Sequence, residues 1–197
     1  MGRPASALED LRARILACRL CEGKLPEPRP VLRVSKTARL CIAGQAPGTR
    51  VHATGIPFND PSGDRLRAWM GIDRDTFYDE TRIAIVPMGF CFPGLDQHGG
   101  DRPPRPECAR TWRADLFGHL PQIETTLLVG AYAQAWHLGK AKERRLSETV
   151  RAWPRHWPRY VPLPHPSWRN NAWLKRNPWF EAEILPALQE RVRALLV

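Results

Sequence analysis

Four of the five cysteines are spaced so that they could ligate one metal centre. Cys18 and Cys21 place two thiolates about one helical turn apart, whereas Cys91 and Cys108 flank a Pro-rich loop, with sixteen residues between them. Thiolates bind zinc and iron-sulfur clusters, and the wide second pair suits a cluster held between distant segments better than a zinc site. A four-thiolate zinc site and four unrelated buried thiols are the alternatives. Cys41 lies in an apolar run and is predicted to be a small core residue.

One histidine has the setting of a catalytic residue. His165 lies between Pro164 and Pro166, directly after an apolar run, so its ring is rigidly oriented. The segment from Trp168 to Asn171 that follows combines aromatic, cationic and amide side chains, which suit a nucleic-acid strand. A structural role is the alternative for His165. The other five histidines have no comparable context.

The stretch from Gly44 to Asp64 is rich in glycine and proline and follows an apolar run. Such a loop can turn its backbone amides toward a phosphate or a base, although many loops between a strand and a helix share this composition. Asp60 lies at the start of the next helix and fits an N-cap or a catalytic carboxylate, and the local sequence alone favours the cap. Phe58 fits a core residue or an aromatic platform for a planar ring, and spacing does not decide between these two roles.

The charge of the chain indicates a polyanionic partner. The formal net charge is +10, the pI is about 10.0, and most of the surplus is arginine, whose planar fork matches phosphate. Nucleic acid is therefore favoured over a merely basic protein. No apolar run approaches the roughly 20 residues that span a bilayer, and no secretory signal is visible. We expect a cytoplasmic protein without membrane contacts, whose cysteines serve a metal rather than disulfides.

The elements that position these residues alternate between strand and helix. A capping box from Ser6 to Glu9 predicts a first helix to about Cys18, and residues 22 to 36 predict an extended connector. Strands are predicted at Ala38 to Ala43, Ile83 to Met88, Thr126 to Val129 and Tyr160 to Leu163. Helices are predicted at Ser62 to Met70, Cys108 to Leu116, Ala131 to Leu138, Leu146 to Trp153 and Trp179 to Leu196, the last containing Pro186.

This alternation predicts a single α/β domain over residues 1–197 with a central, mostly parallel four-stranded sheet. In such sheets the ligand crevice lies outside the carboxyl ends of the strands. Residues 44–48, 89–91 and 164–167 each follow a strand and are expected to converge there. The loop at 92–107 is too rich in proline and glycine to form a regular element, and its length suggests a functional role.

Taken together, these motifs resemble the uracil-DNA glycosylase superfamily, chiefly its iron-sulfur families 4 and 5. The resemblance covers roughly Cys18 to Trp168. Gly-x-x-Pro after a strand is present as Gly44 to Pro47, Gly-x-Pro-Phe as Gly55 to Phe58, and His-Pro-Ser as His165 to Ser167. The order and spacing of the four cysteines are also similar to those of the family cluster. Four motifs in the right order make the resemblance specific.

The resemblance implies a three-layer α/β/α sandwich, extrusion of the target nucleotide from DNA, and hydrolysis of the N-glycosidic bond. It implies that His165 hydrogen-bonds O2 of the leaving uracil, where negative charge develops in the transition state. Phe58 would stack on the base, and the backbone of Gln45 and Ala46 would contact its edge. The implied catalytic residues are His165, Asp60 and Gln45, and the implied substrate-binding residues are Gly44, Ala46, Pro47, Phe58 and Ser167.

The resemblance also implies a structural [4Fe-4S] cluster and a wedge that enters the duplex. The implied cluster ligands are Cys18, Cys21, Cys91 and Cys108. Trp168 or Arg169 is expected to act as the wedge, with Asn170 also contacting the DNA.

The sequence departs from the family pattern at three places. Many family members carry an acid in the first motif, where this chain has Gln45 and Ala46, so the water-orienting role is assigned to Asp60 in the stretch Asp60 to Asp64. The base-reading Asn of family 4 is replaced by Pro87, which predicts a base range broader than uracil. After His-Pro-Ser the chain continues with Trp168, unlike the more familiar Pro-Leu or Tyr-Leu.

The leading hypothesis is a monofunctional uracil-DNA glycosylase that acts on single- and double-stranded DNA as a monomer and leaves an abasic site. No lysine nucleophile is evident to suggest lyase activity. The main alternative is a non-catalytic or adduct-forming iron-sulfur module that binds nucleic acid, suggested by the missing first-motif acid. A zinc-stabilised basic protein is a weaker third possibility.

Overall fold

A four-stranded sheet lies at the centre of the structure, a computed structural model that describes residues 6–197. Its strands are β1 (Leu40–Ala43), β2 (Ile83–Ile85), β3 (Thr125–Val129) and β4 (Tyr160–Leu163). Their spatial order is β2-β1-β3-β4, and every neighbouring pair is parallel. The predicted mostly parallel sheet is therefore confirmed, with no antiparallel strand in it.

Helices precede, connect and follow the strands. Their bounds are α1 (Ala7–Leu16), α2 (Thr49–Thr54), α3 (Pro61–Met70), α4 (Arg74–Tyr78), α5 (Pro106–Gly118), α6 (Ala131–Leu138), α7 (Leu146–Arg151), α8 (Asn171–Arg176) and α9 (Leu185–Leu195). The capping box at Ser6 is present, because the Ser6 hydroxyl accepts from the Glu9 amide while the Glu9 carboxylate accepts from the Ser6 amide. The predicted helices are thus confirmed in place, with ends shifted by a few residues.

The sheet is covered on both faces, as the pleat of β1 shows. Leu40 and Ile42 face a core shared with α3, α9 and the inward side of β4. Cys41 faces the opposite core, where α1 and α5 pack, and Ala43 on that side meets the buried residues of α6. Apolar residues on both faces of a strand are what a parallel sheet with helices on each side requires. The three-layer α/β/α fold is confirmed.

The main differences from the expected elements occur at prolines and in short helices. The closing helix begins as a π-helical turn at Phe180–Ile184 and becomes α-helical at Leu185, because Pro186 has no amide hydrogen and fits only the first turn of a helix. The predicted Leu146 to Trp153 helix ends at Arg151, and a 3-10 turn follows at Trp153–Arg155. The short helices α2, α4 and α8 were not expected from the sequence.

Within residues 6–197, no helix is both long enough and apolar enough to cross a bilayer. The prediction of a single domain over residues 1–197 stays a prediction.

Candidate active site at the carboxyl ends of the strands

Three sequence motifs meet in one cavity at the carboxyl edge of the sheet, here called the base cavity. The Gly44 turn follows β1, Phe58 precedes α3, and His165 follows β4, and all three line this cavity. The rest of its wall is formed by Val31, Gln45, Ala46, Pro47, Val51, Pro57, Ile85 and Pro87. The structure therefore brings together the residues that the motifs singled out, while their chemical roles stay predictions.

The third segment expected at this edge reaches the cavity only in part. The Gly89 amide donates to the Gln45 carbonyl at 3.0 Å, and the Met88 amide donates to the Gly44 carbonyl at 2.9 Å. Cys91, two residues further, lines a different cavity. The end of β2 thus supports the Gly44 turn from behind and leads away from the base cavity.

Phe58 is held in an unusual backbone conformation. Its φ is +54°, in the left-handed region that non-glycine residues adopt infrequently. The ring packs edge-on to Phe77 with the centroids 6.1 Å apart, and its Cζ lies 3.1 Å from where a Cβ on Gly44 would stand. Strain at a site residue persists where its surroundings fix it. Gly44 and Phe77 therefore leave the Phe58 ring little freedom to move out of the cavity wall.

The backbone of Phe58 also depends on a glycine in α3. A Cβ at Gly63 would lie 1.8 Å from the Phe58 carbonyl oxygen and 2.7 Å from its carbon. Both are backbone atoms, so one of the two segments would have to move. Gly63 is therefore the residue that allows Phe58 and the start of α3 to approach closely.

Gly63→Ala is expected to lower the free energy of unfolding by about 3 kcal/mol, because it overpacks a contact between two backbone segments. Gly118→Ala is the matched control, since a Cβ at that helical position meets nothing within 4 Å and alanine favours helix over glycine. Urea unfolding measures both variants. Equal stability of the two would contradict the close approach of Gly63 to Phe58.

His165 faces the cavity as a neutral imidazole. Burial is the main cause that lowers its pKa, with Arg169 lowering it further and Asp60 opposing both. Its backbone is fixed because the Asn170 side-chain amide donates to the His165 carbonyl at 2.7 Å. Gly130, just before α6, lies behind the side chain, with its ideal Cβ position 3.8 Å from the His165 Cβ. A neutral ring in this position can donate one hydrogen bond into the cavity.

Asp60 has the capping geometry that the local sequence favours. Its Oδ1 accepts from the Gly63 amide at 2.8 Å, and its extended backbone begins α3. It does not line the base cavity, although its charge raises the pKa of His165. A catalytic role for Asp60 stays a prediction, and the cap accounts for its observed contact.

A second carboxylate, Asp101, lines the groove outside the base cavity and was missed from the sequence. Asp101 and His165 line the same outer groove, together with Gln45, Ala46, Asp96, His98, Gly100, Ser167, Arg169 and Asn170. The Oδ2 atom of Asp101 lies 3.4 Å from where a Cβ on Gly48 would stand. Partial loss of water is the main cause that raises its pKa, with Asp60 and Asp96 adding to the rise and Arg169 opposing it.

No sequence pattern marked Asp101, because it lies in an irregular loop and not in a motif; the loop expected at 92–107 ends at residue 105, where α5 begins with Pro106. Two hydrogen bonds hold this loop in place, and both involve the Arg102 backbone. The Gln45 side chain donates to the Arg102 carbonyl at 3.2 Å, and the Arg102 amide donates to the Gly94 carbonyl at 2.9 Å. Gln45, predicted to be catalytic, therefore uses its side-chain amide to hold this loop against the Gly44 turn.

The segment expected to contact DNA borders the same groove. Trp168 is 72% exposed, and the Arg169 guanidinium lies over its ring at 5.5 Å. Arg169 also donates to the Gly99 carbonyl at 3.4 Å, which links this segment to the loop that carries Asp101. The Ser167 carbonyl accepts from Arg65 at 3.2 Å. An exposed aromatic ring beside an arginine can contact a DNA strand.

The four spaced cysteines line one cavity on the α1 and α5 side of the sheet, here called the thiol cavity. Burial and the neighbouring thiols raise the pKa of Cys91 to about 11 and that of Cys108 to about 12. The Phe90 amide donates a hydrogen bond to the Cys108 sulfur at 3.4 Å. Cys41 is fully buried in β1, as predicted for a core residue.

The donor set of the thiol cavity is four cysteine side chains. Within residues 6–197, no group of three or more His, Cys, Asp or Glu side chains is gathered to hold one metal ion. All four thiols line this one cavity, and four thiolates are the kind of ligand set that an iron-sulfur cluster uses. An amide hydrogen bond to a ligand sulfur is one means by which proteins tune such clusters.

A buried arginine supports the wall of the base cavity and was also missed. Arg113 of α5 is 1% exposed, and it donates to the carbonyls of Val86 and Pro87 at 3.0 and 2.9 Å. The second terminal nitrogen of Arg113, Nη2, lies 2.6 Å from Nε2 of His137. Burial and the charge of Arg113 lower the pKa of His137 to about 3, so the His137 ring is neutral and accepts this hydrogen bond. Arg113 fixes the backbone of Pro87, which lines the cavity.

The model of the uracil DNA glycosylase superfamily matches residues 33–189. The chain belongs to this superfamily. The matched range includes the Gly44 turn, Phe58 and His165, as well as Cys91 and Cys108, whereas Cys18 and Cys21 precede it. Membership makes the chain a glycosylase-type DNA-repair enzyme that acts on DNA.

Proposed function

We propose that this superfamily member removes uracil from single- and double-stranded DNA and leaves an abasic site without cutting the backbone. The observation that carries the proposal is the meeting of His165, Phe58 and the Gly44 turn in one cavity. A flat ring bordered by a polar donor and a glycine turn suits an extruded nucleobase, which glycosylases bind by stacking and by hydrogen bonds to its edge.

In the proposed mechanism, Phe58 stacks on the base while the backbone of Gln45 and Ala46 contacts its edge. The C1′–N1 bond breaks and its electron pair leaves with the base, so negative charge develops on O2 of uracil. Neutral His165 donates a hydrogen bond to that oxygen, which stabilises charge present only in the transition state. Because its pKa is lowered, His165 is already neutral at pH 7 and needs no proton loss.

The sugar becomes positively charged as the bond breaks, and a water molecule adds to C1′. A carboxylate near C1′ offsets the positive charge and accepts the proton that the water loses. Asp60 and Asp101 are the candidate acids. Asp60 already accepts the amide of Gly63, whereas Asp101 lines the outer groove with His165. We therefore assign this role to Asp101, with Asp60 acting through its charge.

Pro87 suggests a base range that extends beyond uracil to other deaminated bases. It lines the cavity where family 4 has a base-reading asparagine, and a proline offers no side-chain donor or acceptor to one base edge. Discrimination against an analogue is strong when a site would leave a buried polar group unpaired. An apolar wall removes that penalty.

Excision from oligonucleotides tests the proposal directly. The purified protein is incubated with strands that carry uracil, hypoxanthine or xanthine, and hot alkali then cleaves any abasic site. Multiple turnovers on uracil are expected. Persistent binding without cleavage would instead favour the non-catalytic or adduct-forming module that the missing first-motif acid suggests.

We further propose that Cys18, Cys21, Cys91 and Cys108 hold a [4Fe-4S] cluster with a structural role. When bound, the cluster would tie the end of α1 to the start of α5, which carries Cys108. Cys91 follows the turn that supports the Gly44 loop. The cluster would thereby stabilise the backbone behind the base cavity without touching the substrate.

Cys108→Ser is expected to remove the cluster and lower the melting temperature by several degrees or more, because a structural metal site contributes directly to folding. Cys41→Ser is the matched control, since Cys41 is buried in β1 away from the thiol cavity. Visible absorbance, iron and acid-labile sulfide are measured for both. A colourless wild-type protein that contains zinc would contradict the cluster.

The expectation of a cytoplasmic monomer belongs to the same proposal. Light scattering at several protein concentrations tests the oligomeric state, and a mass that rises with concentration would contradict a monomer.

A further inference from the structure

A second groove, here called the aromatic groove, lies between the start of α5 and one face of α6. Tyr132, Trp136, Pro104, Arg105 and Arg110 define it, and further prolines from residues 103–106 complete the wall. The groove shares no lining residue with the base cavity. It shares Arg105 with the thiol cavity, and nothing in the proposed mechanism uses its other residues.

Two large aromatic rings stand on this surface without entering the core. Tyr132 and Trp136 are four positions apart on α6, so they lie on the same face of the helix. They are 41% and 44% exposed, whereas Ala133 and Leu138 of the same helix are buried in the core. Rings arranged in this way form a platform on which flat molecules can stack.

The charge of the groove favours an anionic ligand, and its two exposed rings favour one that carries flat bases. The Arg110 side chain forms no hydrogen bond or ion pair with any residue of the described range 6–197. Arg105 forms an ion pair with Glu107, and no acidic side chain lines the groove itself. Stacking rings beside unpaired positive charge are typical of surfaces that bind single strands without reading their sequence.

The groove lies next to the base cavity. Pro104 lies 3.1 Å from where a Cβ on Gly89 would stand, and the Gly89 amide donates to the carbonyl of Gln45 in the cavity wall. On the other side, α6 begins directly after Gly130, which lies behind His165. The two sites are also neighbours along the chain, because Pro87 lines the base cavity and Met88 lines the aromatic groove.

We propose that the aromatic groove binds single-stranded DNA next to the extruded nucleotide. Two flanking bases stack on Tyr132 and Trp136, and Arg110 and Arg105 lie beside the phosphates. The identity of the ligand rests on the proposed function. The groove itself is a binding site for a nucleic-acid strand and takes no part in bond cleavage.

The test compares the double variant Tyr132→Ala/Trp136→Ala with the wild type in binding and in excision. Binding is measured by fluorescence anisotropy with a labelled oligothymidine of about 15 nucleotides, within the usual site size for single strands. The double variant is expected to bind at least tenfold more weakly, since two bases lose the rings on which they stack. Arg110→Gln is expected to flatten the salt dependence of binding. Arg193→Gln, an exposed arginine of α9 on the other face of the sheet, is the matched control.

Excision separates the groove from the base cavity. On a long single strand, the double variant should raise KM and leave kcat unchanged. On a uracil nucleotide with one neighbour on each side, the rise in KM should be much smaller, because at most one flanking base can reach the rings. Unchanged oligothymidine binding would overturn the proposal, as would an equal loss on the short and the long substrate. If the wild type excises no uracil, the proposed function fails, and the binding measurement alone still decides whether the groove holds a strand.

Discussion

His165→Ala is expected to lower the rate of uracil excision by about 10²–10³-fold, because it removes the donor that stabilises the leaving base. DNA binding should stay nearly intact, since His165 acts on charge that develops in the transition state and phosphate contacts supply most of the affinity. Single-turnover excision and anisotropy measure the two effects separately. His119→Ala is the matched control, because His119 follows α5 and lines neither the base cavity nor the outer groove.

The pH dependence of the wild type provides a second test of His165. Burial lowers its pKa below the ordinary value, so the ring stays neutral as the pH falls past about 6.5. Protonation of His165 should therefore not reduce the rate until the pH falls below that value. Asparagine at this position keeps an amide donor and should recover part of the activity lost in His165→Ala. A rate in His165→Ala equal to that of the wild type would remove His165 from the mechanism.

The sequence predicted the sheet and its rim because those features depend on short-range patterns. Apolar runs such as Tyr160 to Leu163 are confirmed as strands, and in a parallel sheet their carboxyl ends meet at one edge. His165 and the Gly44 turn follow strands directly, so placing the strands also placed them. Phe58 lies beside α3 and depended on the motif resemblance, because its position also requires Gly63 to lack a side chain.

The residues that the sequence missed depend on contacts between distant segments. Arg113 lies in α5, whose amphipathic pattern gives no sign that one arginine turns inward. Its hydrogen-bond partners are the carbonyls of Val86 and Pro87, which follow directly after β2. Its burial is possible because two carbonyls and His137 accept its hydrogen bonds. Such a network is visible only when α5 and β2 are already placed.

Asp101 shows the same limit in an irregular loop. The conformation of residues 94–102 depends on the Asp96 carboxylate, which accepts from the amides of His98 and Gly100, and on the side chains of Gln45 and Arg169. No period or capping pattern predicts where such a loop lies. A motif therefore marks Asp60 as the replacement acid, whereas no sequence pattern marks Asp101.

Asp101→Asn is expected to lower the excision rate by about 10²-fold or more, the usual contribution of a positioned general base. The substitution keeps the shape of the side chain and removes its charge. Asp60→Asn is the decisive comparison, because asparagine caps a helix as well as aspartate does, so this variant keeps the cap on α3 and loses only the carboxylate. Asp60→Asn should therefore keep its stability and most of its rate.

The two carboxylates also predict different pH profiles. The pKa of Asp101 is raised, chiefly by partial loss of water, so its carboxylate gains a proton at a higher pH than an ordinary aspartate. The rate should fall as the pH drops through that raised pKa, and this fall should be absent in Asp101→Asn. If the fall persists there and disappears in Asp60→Asn, then Asp60 is the acid that positions water, and Asp101 only borders the groove. Measuring kcat against pH for both variants decides between the two, because each profile reports the group that must be ionised in the bound complex.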